Sequence, residues 1–163
     1  MSYLSNKFIM AIEYRQGDLF TCRDAESFAH CISADCRMGK GIAVQFAMFP
    51  GNERTTIKQQ NKSTGQVAAT KVIIKENEYW IYNLITKDKY FFKKPYMGIE
   101  NSLKDMRDHM LENNVKSVAM PILGCGLDRC SWERVSQILE QVFDDDDIKI
   151  IVYKLKYAQT ILI

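Results

Sequence analysis

Pro121-Ile-Leu-Gly-Cys-Gly-Leu-Asp-Arg129 is the stretch that decides the fold. An apolar run, Ser117 to Met120, precedes it, and an amphipathic run starting at Ser131 follows. A strand thus feeds a short glycine loop, and the loop feeds a helix. Glycines let the backbone approach an anion closely, and a helix start offers unpaired N–H donors to it. Asp128 sits at the edge of this cradle. A carboxylate beside an anion site repels the ligand unless it has chemistry to do, so Asp128 is a candidate catalytic group.

Outward from this loop the apolar pattern alternates between the strand and helix periods. Strands are expected at 7–14, 27–32, 67–74, 79–85, 115–120 and 147–153, with a polar turn at Glu76-Asn77-Glu78. After Gly41, Ile42, Phe46 and Phe49 recur at helical spacing; Ile99, Leu103, Met106 and Met110 do so from Tyr96 onward, ending near Asn113-Asn114. Trp132, Val135, Leu139 and Val142 mark a last long helix, and the acidic run Asp144 to Asp147 is a solvated turn after it. Strands alternating with helices imply a central sheet covered on both faces, hence an α/β fold.

The chain has 163 residues, which points to one domain without internal repeats or linkers. Its hydrophobic content of 47% and charged content of 26% are those of an ordinary globular core and surface. A net charge of +2 gives no field strong enough for general nucleic-acid binding. The five cysteines, 22, 31, 36, 125 and 130, are odd in number, and no secretion signal precedes them. Reduced thiols in a nuclear or cytoplasmic setting are therefore expected. Their spacing does not match a zinc site, and no apolar run approaches the ~20 residues that span a membrane.

A second glycine segment, Cys36-Arg-Met-Gly-Lys-Gly-Ile-Ala43, also lies between a strand and a helix. It is neither a Walker loop nor a dinucleotide fingerprint. Alone, each loop can be a tight turn; two in one small α/β domain, at the ends of strands, can grip a pyrophosphate from both sides. Asp18, in Gly17-Asp-Leu-Phe20, is either an acceptor for an exocyclic amine or a turn residue capping local N–H groups. Lys87 ends the run Leu84-Ile-Thr-Lys87. It is either the first residue of a solvated basic loop with Lys89, Lys93 and Lys94, or an amine aimed into the cleft. In the second case it can act as a nucleophile, with Asp128 as its base.

GDLF, AHCIS-x-DCRMG-x-GIAV, LITK and GCGLDR, in that order, resemble the macro domain family over residues 8–155. They are nearer to its branch of terminal ADP-ribose protein glycohydrolases than to macro domains with an Asn-Ala-Ala-Asn loop. The resemblance implies a three-layer α/β/α fold around a mixed, mostly parallel sheet, in one macro domain spanning 1–163. It implies hydrolysis of ADP-ribose from glutamate and aspartate side chains without a cofactor or metal, with deacetylation of O-acetyl-ADP-ribose as a side activity. Lys87 then matches the nucleophile that forms a lysyl–ADP-ribose adduct, and Asp128 the acid and base that helps release it. Asp18 and Leu19 match the adenine side, and Ser33 a ligand-contacting serine. Gly39, Gly41 and Ile42 match the first phosphate loop. Ile122, Leu123, Gly124, Cys125, Gly126 and Leu127 match the second, and Leu155 closes the adenine side. The implied partners are ADP-ribose, ADP-ribosylated proteins and ADP-ribosylated nucleic acid, handled by a monomer with no membrane involved. The alternative within the family is a non-catalytic reader of ADP-ribose. Residues 49–54 and 90–94 diverge from the family pattern, and 156–163 extend past its usual end.

Overall fold

The computed structural model describes residues 12–124, 128–144 and 147–154. Six strands form one sheet: β1 (Glu13–Gln16), β2 (Ser27–Ser33), β3 (Val67–Ile74), β4 (Asn77–Lys87), β5 (Ser117–Pro121) and β6 (Lys149–Lys154). Their spatial order is β1-β6-β5-β2-β4-β3. Among the described residues only the β3–β4 hairpin is antiparallel; the other pairings are parallel, which makes the sheet mixed and mostly parallel, as the resemblance implies.

Alternate residues of the central strands enter two separate cores. Tyr82, Leu84, Val118, Met120, Ile150 and Val152 face α3 (Tyr96–Glu112) and α4 (Trp132–Val142). Phe28, Ile32, Ile81, Ile85, Ala119 and Ile151 face the other way. There they meet a single 3-10 turn (Leu19–Thr21), α1 (Ile42–Ala47) and α2 (Arg54–Lys58), which contribute Leu19, Phe46 and Ile57. Burial on both faces explains why β2 and β5 show no apolar–polar alternation.

Helix α3 forms where its periodicity predicts, with Ile99, Leu103, Met106 and Met110 fully buried. Asn114 ends it in the left-handed region (φ 56), and the N–H groups of Val115 and Asn114 donate to Met110 O and Leu111 O. This is a Schellman closure, with Asn standing where Gly is commoner.

Three local expectations shift. Of the strand read at 7–14, the described part begins at Glu13 and runs to Gln16, and residues 7–11 lie outside the described residues. This edge strand is polar and mostly exposed, so no apolar alternation marks it. The hairpin turn falls at Lys75-Glu76, both at positive φ (49 and 72), because β4 already begins at Asn77. Two left-handed residues are what a two-residue hairpin turn demands. Helix α2 was not expected: only Ile57 of its five residues is buried, too few to show a period.

Candidate active site

Parallel pairing brings the carboxyl ends of β1, β2, β5 and β6, and that of β4, to one edge of the sheet. Asp18, Ser33, Lys87 and Ile122 all follow or end these strands, so chain topology alone gathers them. Open α/β sheets place ligands at such an edge.

Lys87 is set there by a bulge. Ile32 pairs with Ile85, yet Ser33 pairs with Lys87, so β4 carries one extra residue, Thr86. A bulge re-aims the side chain that follows it. Helix α3 packs against the bulge so closely that a Cβ on Gly98 would lie 1.7 Å from Thr86 O. Only glycine permits that approach. On the other side, the Ala34 N–H donates to Lys87 O (2.8 Å), tying the nucleophile candidate to the start of the first glycine segment.

Lys87 and Asp128 meet. They are 41 residues apart in sequence, and the Lys87 Nζ donates to Asp128 Oδ1 in a close ion pair, with each residue only 9% exposed. Nζ also donates to Tyr90 O (2.8 Å) and Phe92 O (3.0 Å). All three hydrogens of a lysine ammonium thus have acceptors. Asp128 is itself held by its main chain, since the Lys94 N–H donates to Asp128 O (2.8 Å). Of the two readings of Lys87, the solvated basic loop is the one the geometry discards. An unpaired charge at this depth is costly, so each member of the pair keeps the other in place.

The loop after β2 supplies the opposite wall. The Ser33 hydroxyl donates to Asp35 Oδ1, whose carboxylate also accepts the N–H groups of Tyr90 (3.3 Å) and Arg37 (3.4 Å). Burial pushes the Asp35 carboxyl up, but the Ser33 hydroxyl and these N–H donors outweigh it and hold it below its ordinary value. Asp35 escaped the sequence reading, although it lies two residues past Ser33; its role depends on a partner at residue 90. Gly41 follows with φ 64 and leads into α1 at Ile42, and exposed Gly39 precedes it. Arg54 Nε donates to Cys36 O (3.2 Å), anchoring this loop from α2. Burial pushes the thiols of Cys36 and Cys130 up, so neither is a thiolate competing with Lys87 for the nucleophile's part.

The remaining candidates spread around the edge. Asp18 Oδ1 accepts from the Phe20 N–H (3.0 Å), capping the 3-10 turn as its structural alternative foresaw. The side chains of Leu19 and Leu123 are buried in the two cores, 2% and 1% exposed. Ile122 is partly buried, and Gly124 O accepts from the Cys130 N–H (2.7 Å), which closes the described part of the second glycine loop. Cys125, Gly126, Leu127 and Leu155 lie outside the described residues, as does the extension 156–163.

The chain's relatives bear on this arrangement. A family model described as "Macro domain" matches residues 29–139. The human protein named ADP-ribose glycohydrolase OARD1 is 48% identical over 144 residues, covering 88% of this chain and 91% of that protein. The DNA ADP-ribosyl glycohydrolase of Mycobacterium tuberculosis is 30% identical over 149 residues, covering 87% of this chain and 42% of that protein. Among solved structures, the macrodomain of Mycobacterium tuberculosis DarG superposes with a TM-score of 0.79 at 28% identity, covering 88% of this chain and 97% of that one. With the α/β/α layers, the two glycine loops at the sheet edge and these matches together, the chain belongs to the macro domain family.

Proposed function

We propose that this chain is an ADP-ribose glycohydrolase that frees glutamate and aspartate side chains of proteins through a lysyl–ADP-ribose adduct. The hydrolase part is supported by relatives named as ADP-ribose and DNA ADP-ribosyl glycohydrolases. The single observation that carries the adduct is the buried contact of Lys87 Nζ with Asp128 Oδ1. A reader module has no use for it, because burying a charge pair at a ligand edge costs desolvation.

Asp128 takes a proton from the Lys87 ammonium, and the freed lone pair forms a bond to the anomeric carbon of the distal ribose. The ester bond to the acceptor breaks, and its electron pair leaves on the acceptor carboxylate. A carboxylate is a good leaving group, so no second acid is required. Asp128 hands the proton it took to the departing carboxylate and is again free to draw a proton from water. The water oxygen bonds to the same carbon while the C–N bond breaks, the bond's electron pair returns to the Lys87 nitrogen, and Asp128 passes the new proton to it. Splitting one step into two is the gain of nucleophilic catalysis. By the macro domain resemblance, the diphosphate falls to the two glycine loops, beginning at Gly39 and at Ile122, with adenine toward Asp18. Nucleic-acid acceptors linked through the anomeric carbon present the same bond to the same pair, whereas in O-acetyl-ADP-ribose the ester sits on a ribose hydroxyl, and Asp128 there activates water toward the acyl carbon while that hydroxyl leaves.

Release of ADP-ribose from a glutamate-modified protein measures this directly. Lys87→Ala and Asp128→Ala should each lose about 100-fold or more in turnover, the size of nucleophilic or acid–base assistance. Borohydride should trap a protein–ADP-ribose adduct in the native chain and not in Lys87→Ala. Near-normal rates in both variants discard the mechanism; ADP-ribose binding without release from any acceptor leaves the reader module.

A further inference from the structure

After Lys87-Asp88 the chain runs Lys89-Tyr-Phe-Phe-Lys-Lys94. Tyr90, Phe91 and Phe92 are 47%, 57% and 44% exposed, three large apolar side chains in sequence with no core to enter. Consecutive exposed aromatics of this kind mark contact surfaces more often than solvated loops. Their place is fixed. Tyr90 and Phe92 offer their carbonyls to Lys87 Nζ, Asp35 accepts the Tyr90 N–H, and Arg37 lies over the Tyr90 ring at 4.6 Å. The Phe92 N–H closes the turn onto Lys89 O (3.1 Å). A loop whose main chain touches the attacking nitrogen has its side chains beside whatever leaves from the anomeric carbon.

We infer that residues 89–94 form the acceptor-side docking surface, and that it fits a protein acceptor with an apolar side chain next to the modified residue and acidic residues around it. The inference rests on the proposed function and adds to it the class of acceptor sequence. Ring geometry favours a protein over an unpaired nucleic-acid strand. Tyr90–Phe91 and Phe91–Phe92 meet edge to face, at 88° and 87°, with centroids 5.5 and 5.2 Å apart. Such rings build a compact apolar knob and do not present the parallel faces on which successive bases stack. Arg37 covers one face of Tyr90 as well. The cations at the rim, Lys89 and Lys94, are both exposed and complement acidic neighbours of a modified glutamate.

The test compares kcat/KM of the native chain, Phe91→Ala and Lys89→Glu on four substrates. These are a glutamate-ADP-ribosylated peptide with leucine beside the modified residue and acidic flanks, its counterpart with lysine flanks, O-acetyl-ADP-ribose, and an ADP-ribosylated single-stranded oligonucleotide. Phe91→Ala should lose roughly tenfold on the acid-flanked peptide, the scale of one buried aromatic contact, and stay within about twofold on O-acetyl-ADP-ribose, where no chain leaves. Lys89→Glu should reverse the preference between the two peptides. Equal losses on every substrate overturn the inference by showing that the loop only holds Lys87. A loss confined to the oligonucleotide overturns it in favour of base stacking, and no loss on any substrate removes the surface altogether. If the native chain turns over none of the four, the proposed function itself fails, a result distinct from all of these.

Discussion

The two faces of the sheet are covered by different means. On one, α3 and α4 are helices of 17 and 11 residues that bury continuous apolar stripes. On the other, helices of six and five residues and a single 3-10 turn suffice. That face is held by aromatic contacts and a buried polar network. Phe20 packs on Phe28, Phe46 and Phe49, while Asn83 on β4 joins Asn52, His30 and the Ala68 carbonyl. Thr70 adds its hydroxyl to Asn52 Oδ1 (2.7 Å). The long-helix face positions Lys87 by shape, through Gly98 on the bulge; the short-helix face ties α1 and the turn after it to β2, β3 and β4 by hydrogen bonds. Shape should fail under added volume and the network under removal of a partner.

The largest stability effect falls on the first. In Gly98→Ala the new methyl would overlap Thr86 O, so α3 must move off the bulge. Overpacking of this severity costs about 3 kcal/mol or more. Urea unfolding should show that loss, and any folded fraction should bind ADP-ribose while turning over slowly, because Lys87 loses its aim. A variant of native stability and rate shows that the helix stands further from the strand.

Next comes the network. Asn83→Ala leaves His30, Asn52 and the Ala68 carbonyl without a shared partner in a region with no exposure. Unsatisfied buried groups cost about 1–3 kcal/mol each, so a loss of about 2–3 kcal/mol in the same unfolding assay is expected. A value below about 0.5 kcal/mol indicates that the remaining groups re-pair.

His30 makes this face sensitive to acid. Burial drives its pKa down to about 4, against the hydrogen bond with Asn83 that raises it. The ring stacks on Phe46 (centroids 3.9 Å apart), and its Nδ1 has no hydrogen-bond partner among the described residues. The unfolded chain, with histidine near 6.5, binds the proton more readily. The neutral form therefore stabilises the fold fully above about pH 6.5, and that contribution is lost as pH falls from there through about 4. Between pH 7 and 5 this amounts to about 2 kcal/mol. The difference between native and His30→Gln unfolding curves isolates it; parallel curves across that interval discard the assignment.

The same contrast explains what the sequence disclosed. Long apolar periods such as Ile99 to Met110 exposed the long-helix face, and the strings around Ser33, Lys87 and Asp128 exposed the site edge. What stayed hidden has no period and no local partner. Asn52, Thr70 and Asn83 are ordinary polar residues until the β3–β4 hairpin and the turn after α1 bring them together. Thr86 as a bulge depends on the register between β2 and β4, and Gly98 looks like a weak point in a helix until Thr86 is seen behind it. Asp35 needs residue 90 to reveal its purpose. Local sequence carries chemistry and period; pairing register and close approach arise only from the assembled sheet.

The smallest effect falls within one helix. Two residues after Gly98, Glu100 pairs with Lys104 at 3.0 Å, one turn along α3, with side chains 42% and 57% exposed. Exposed pairs at this spacing contribute about 0.3–0.5 kcal/mol, and salt screens them. Glu100→Gln should thus destabilise by no more than about 0.5 kcal/mol, with the difference vanishing in roughly 1 M salt, where the screening length falls to about 3 Å. Turnover should be unchanged, since the pair faces solvent and touches neither the bulge nor Asp128. A change in rate comparable to that of Gly98→Ala requires α3 to act on Lys87 through its charge as well as its closeness, and the shape argument for the long-helix face then fails.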